Sequence, residues 1–151
     1  MPSTQELVTS YLRKVELHCG KEIRQVEDDQ LTTAAKIEIA ENHNRDYHLI
    51  KYKPSHAGVF HLIMHELVHL EFISQARDID ENKLFTTSPQ QAANFSASFK
   101  NGHNQLLKKG LSSERVDTLY DSIFSGISLQ AYNTPIDVFI ETFLFQTYES
   151  F

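Results

Sequence analysis

The period of the hydrophobic positions changes twice along the chain. In the first twenty residues Leu7, Tyr11, Leu12 and Val15 recur at helical spacing. Ser3 with Glu6 three positions on has the form of a capping box, and Gly20 suits the residue just past a helix end. A first helix is expected over about residues 3 to 19. The period then drops to two in "KEIRQVED", "AAKIEIA" and "DYHLIKYKP", short stretches rich in β-branched and aromatic residues, with turn chemistry in "ENHNRD". These predict two or three antiparallel strands. From about Gly58 to Arg77 helical spacing returns, with Leu62, Ile63, Leu67, Val68, Leu70 and Ile73 apolar nearly all round, the mark of a buried helix.

Beyond a polar loop, "RDIDENKLFTTS", every remaining signal is helical. Ser88-Pro89 opens a helix that Gly110 closes, and Ser112 or Ser113 opens another running to about Ala131. Thr134-Pro135 opens a last one that runs to the end of the chain. The expected fold class is α+β: a small antiparallel sheet, a buried helix and a helical C-terminal half. The 151 residues suffice for one ordinary domain, and no repeat or linker divides them. The last helix stops at Phe151 without a polar tail, which suggests a segment of a longer protein.

Composition narrows the function classes. With 40% hydrophobic and 23% charged residues the chain is globular, and no apolar run approaches the roughly 20 residues of a membrane span. A net charge of −6 and no Lys/Arg cluster argue against a nucleic-acid surface. A single cysteine, Cys19, excludes an internal disulfide, and with no secretory leader pattern at the start it fits a reducing, cytoplasmic setting. Cys19 reads as a small buried hydrophobe.

The chemistry concentrates in "HLIMHELVHLEF", residues 61 to 72. Here His65-Glu66-Leu67-Val68-His69 is an HExxH sequence, expected by chance in a chain of this composition about 0.03 times. Histidines at i and i+4 project from one helix face and can both reach a single zinc ion. Glu66 lies about 100° round from His65, close enough to act as general base toward a metal-polarised water. Burial of the helix strengthens the reading, since an unpaired His or Glu there would cost about 1–3 kcal/mol or more. His61 extends the row to i, i+4, i+8, but eight residues span about 12 Å, too far for all three rings to meet one ion. It is expected to be a helix-face or supporting residue.

A catalytic zinc takes three protein ligands and leaves a position for water. The extended pattern HExxHxxGxxH is absent, because Phe72 and Gln75 stand where glycine and histidine are needed. The third ligand is therefore sought downstream, in "NTPIDVFIETFLF". Glu141 is favoured, flanked by apolar residues that place its carboxylate near the core, where a cation would offset the cost of burial. Asp137, one turn earlier, competes, although Thr134 to Asp137 also reads as a helix-capping box. Glu71, Asp78, Asp80 and His103 stay open as lesser candidates.

On the residues "HELVH", preceded by a helix and a small sheet and followed by a helix bearing Glu141, the chain resembles the zincin metallopeptidases, and within them the minimal gluzincins. The resemblance covers roughly residues 21 to 148. It implies zinc held by His65, His69 and Glu141, with Glu66 as the catalytic base of peptide-bond hydrolysis. That family places an acid after the ligating glutamate, whereas here Asp137 precedes Glu141. The resemblance also implies that an extended peptide substrate pairs with an edge strand, for which "DYHLIKYK" is the candidate. His103 and Tyr132 are the candidates for stabilising an oxyanion. The expected partner is thus a peptide or protein substrate, with no nucleic acid and no membrane. One rival is a non-catalytic metal-containing interaction module. Another is a latent hydrolase whose cleft a neighbouring domain or protein covers.

Overall fold

A computed structural model of the chain describes residues 3–81 and 88–148. Two compact units arise: residues 1–82 with 138–151, and residues 83–137. No helix among the described residues is long and apolar enough to cross a membrane.

The first unit begins with α1 (Thr4–Cys19). The Ser3 hydroxyl accepts from the Glu6 amide while the Glu6 carboxylate accepts from the Ser3 amide, and Gly20 ends the helix at φ 71°. Val8, Tyr11 and Val15 form its buried stripe. Three strands follow: β1 (Glu22–Glu27), β2 (Ala35–Glu38) and β3 (Tyr47–Tyr52). Their order is β1-β3-β2, with β1 parallel to β3 and β2 antiparallel to it. The sheet is therefore mixed, not the antiparallel one expected, and β3 lies at its centre. Burial accords with the order: His48, Leu49 and Ile50 are consecutive buried residues of β3, whereas β1 is largely open to solvent and β2 is at most half-buried.

Helix α2 (Val59–Asp78) carries the HExxH sequence and packs on α1, β2 and β3. Ile63, Met64, Leu67, Val68 and Leu70 are among its buried residues, and Ile50 of the sheet, Ile140 and Leu144 are buried as well. Those last two residues come from the end of a long helix, α5 (Ser113–Thr147), whose residues from Val138 on belong to this unit.

The second unit holds α3 (Pro89–Ser98), α4 (Lys100–Lys108) and the first part of α5. Ser88 caps α3 in a second capping box with Gln91. The single helix expected from Ser88 to Gly110 is instead broken at Phe99, which joins α3 to α4. Aromatic rings bind these helices together: Phe95 packs 4.7 Å from Phe99 and 5.1 Å from Phe124, and Tyr120 packs 5.9 Å from Phe99. No helix starts at Thr134. Pro135 sits inside α5, and Thr134 turns its hydroxyl to the Gln130 side chain. The capping role considered for Asp137 thus falls away. Of the polar loop before Ser88, residues 82–87 lie outside the described residues, as do residues 149–151 at the expected end of the last helix.

Candidate metal centre

His65, Glu66 and His69 are half-buried on α2, beside fully buried Met64, Leu67 and Val68. The helix thus anchors the motif on one side and opens it to solvent on the other. One turn of helix separates the two imidazoles, whose ring centroids lie 4.9 Å apart at an interplanar angle of 64°. His65 keeps 17% of its side chain exposed, enough for a ligand to reach it.

The carboxylate of Glu141 meets this row of histidines. Its Oε1 lies 2.7 Å from Nδ1 of His65 and 3.1 Å from Nε2 of His61, and its Oε2 lies 3.0 Å from the same His61 nitrogen. Burial raises the pKa of Glu141, but the hydrogen bond from His65 and the charge of His61 outweigh it and hold the carboxyl below its ordinary value. Glu141 is then an anion at neutral pH and can only accept, so Nδ1 of His65 carries the proton of that bond. In the tautomer protonated at Nδ1, Nε2 is the acceptor nitrogen, the atom through which the ring would bind a metal.

Two expectations about Glu141 change with this geometry. The sequence placed it near the core, but its side chain is 49% exposed. Of its neighbours only Ile140 and Leu144 are buried, while Val138, Phe139 and Phe145 face solvent. Its contact is also with a ligand candidate, on the ring atom facing away from Nε2. Asp137, one turn earlier on α5, is the last residue of the second unit. The imidazoles of His65 and His69 suit zinc in donor type.

The other candidates are occupied elsewhere. Glu71 is buried against the Tyr11 hydroxyl, with Lys14 Nζ at 2.8 Å. Asp78 pairs with His18 at 3.1 Å, and Asp80 sits in a left-handed turn at φ 56°. His103 and Tyr132 lie in the second unit, and Nε2 of His103 is 3.0 Å from Asp117. Cys19 is only partly buried, with its thiol near the carbonyls of Glu16 and Lys21. The edge-strand expectation for "DYHLIKYK" fails outright, because β3 is paired on both sides.

No protein-family model, curated protein or solved structure matches the chain. The case for function therefore stands on these residues alone. His61, expected as a helix-face or supporting residue, meets the same carboxylate as His65, as their i, i+4 relation on one helix face allows.

Proposed function

We propose that this chain is a zinc-dependent metallopeptidase. The observation that carries the reading is the HExxH sequence on α2, with its first histidine held through Nδ1 by the Glu141 carboxylate, as a carboxylate that orients a metal ligand holds it. His65 and His69 would be the histidine ligands. Glu141, favoured from the sequence as the third ligand, is engaged with His65 Nδ1 and orients that ring. The bound ion would contribute Lewis acidity, lowering the pKa of a water to about 7 and polarising the scissile carbonyl. Glu66 accepts the proton of the attacking water on its carboxylate and passes it to the leaving amine. A peptide that extends the sheet would pair with β2, the edge strand packed against α2, by main-chain hydrogen bonds.

Elemental analysis and peptide-library hydrolysis test this together. Near one zinc per chain is expected, retained in Glu66→Gln with hydrolysis lost, because only the base is removed. His69→Ala, which removes a ligand, should weaken zinc binding by roughly 10²–10³-fold, since about 10–16 kcal/mol of binding is spread over the ligand set. Glu141→Ala should weaken it by about 10–100-fold, as loss of a supporting partner does. A loss from Glu141→Ala as large as that from His69→Ala would make Glu141 a ligand. No zinc in the natural chain would sink the reading and leave an interaction module, and full zinc without hydrolysis of any peptide would leave a metal-containing non-enzyme.

A further inference from the structure

His61 is not part of the HExxH sequence and stands too far along α2 to share an ion with both His65 and His69. It nonetheless reaches Glu141, with its Nε2 3.1 Å from Oε1 and 3.0 Å from Oε2. Glu141 needs such a contact. A half-exposed glutamate with three rotatable bonds is poorly fixed by one hydrogen bond, which water replaces at little cost. Two histidines one turn apart on the same face of α2 converge on it, and between them they engage both carboxylate oxygens.

We propose that His61 is a positioning residue that fixes the Glu141 carboxylate against His65 Nδ1, and so sets the tautomer in which His65 offers Nε2 to a metal. The chain of contacts is His61 Nε2–H to Glu141, then Glu141 Oε1 to the proton on His65 Nδ1. Each link is a donor facing an acceptor, so the chain has one sense only. The part concerning the metal rests on the zinc reading above. The part concerning the His65 tautomer does not, because it is a property of the metal-free protein.

The experiment combines nitrogen-15 NMR of the imidazole rings in metal-free protein with zinc affinity measured by chelator competition. In the natural chain His65 should show the Nδ1–H tautomer. His61→Ala should shift His65 toward Nε2–H and weaken zinc binding by about 10-fold, as loss of an outer partner does, with the thermal midpoint of the metal-free protein unchanged. His61→Gln, which keeps a donor, should restore part of both signals. In a Glu141→Ala background, His61→Ala should have no further effect on zinc affinity. An unchanged His65 tautomer in His61→Ala overturns the proposal, whatever the zinc result. So does an equal loss of affinity with and without Glu141. Failure of the natural chain to bind zinc while the tautomer responds as expected would overturn the zinc reading and leave the positioning role of His61 standing.

Discussion

Docking of α1 against the motif helix depends on a buried polar contact whose loss should be measurable. Glu71 lies two residues beyond His69 on α2, 6% exposed, and accepts from the hydroxyl of Tyr11, which is 4% exposed. Lys14 completes the group at 2.8 Å from the other oxygen, but 61% of its side chain is in solvent. Burial raises the pKa of Glu71, yet the bonds from Lys14 and Tyr11 outweigh it and keep the group ionised. For Tyr11, burial and then the bond to Glu71 push the phenol well above its usual range, so it stays a donor. A hydrogen bond to a charged group contributes about 1.5–3 kcal/mol, while an ion pair as open as that of Lys14 contributes at most about 1 kcal/mol. Tyr11→Phe should therefore cost about 1.5–3 kcal/mol. Glu71→Ala should cost about 2–4 kcal/mol, because it also leaves the Tyr11 hydroxyl buried without its acceptor. The double variant should cost less than the sum by about 1–2 kcal/mol, since with both groups gone no orphan remains. Urea titrations followed by circular dichroism, with an unchanged dependence on denaturant, give these values, and the Glu71→Ala midpoint in temperature should fall by about 5–15 °C. Additivity of the two substitutions to within about 0.5 kcal/mol would refute the coupling and with it the claim that this contact docks α1.

Two further tests address other parts of the fold. His48 is 1% exposed and its Nδ1 accepts from the Ala40 amide at 3.1 Å. Burial lowers its pKa, and the opposing charge of Glu41 does not restore it. A group whose pKa falls on folding contributes stability above its unfolded value, about 6.5, and loses it as pH drops below that point. The urea midpoint should thus fall between pH 7.5 and 5.5, and fall less in His48→Gln; an equal fall in both would contradict the assignment. In the second unit, a Cβ on Gly102 would meet the Tyr120 hydroxyl at 2.7 Å. Gly102→Ala should destabilise by about 1–3 kcal/mol despite a gain in helix propensity of about 1 kcal/mol, and Tyr120→Phe in the same chain should reverse the sign by making room. Both are read by thermal melts.

Local signals were legible in proportion to how local their causes are. The capping box at Ser3, the cap at Ser88 and the Gly20 helix end depend on neighbours within four residues, and each stands where the sequence placed it. Strand existence was equally plain, since alternation in "KEIRQVED" and "DYHLIKYKP" survives any partner choice. The pairing did not follow, because order and direction depend on which strand the helices cover. Three consecutive buried residues in β3 were the available clue to a central strand. Pro135 misled for a related reason. Thr-Pro is a good helix start, and a proline inside a helix costs about 3 kcal/mol, but burial of Ile140 and Leu144 beyond it outweighs that local preference.

The site shows the same division at finer scale. His65, Glu66 and His69 were singled out by spacing, and the helix that carries them forms as expected. Glu141 was favoured for a reason that does not hold: apolar flanks pointed to burial, yet on a helix only positions one turn apart share an environment, and the buried pair is Ile140 and Leu144. Glu141 stands about 100° round from Ile140, at the border of the buried stripe, where a carboxylate keeps its hydration on one side and meets the α2 histidines on the other. That border position matters for the chemistry. A carboxylate in the core would require a cation to be stable at all, whereas one at the border stays charged without it. It can therefore hold the His65 ring through Nδ1 in the metal-free protein, and on the proposed zinc reading the ordering cost of that ring would fall on folding and not on metal binding.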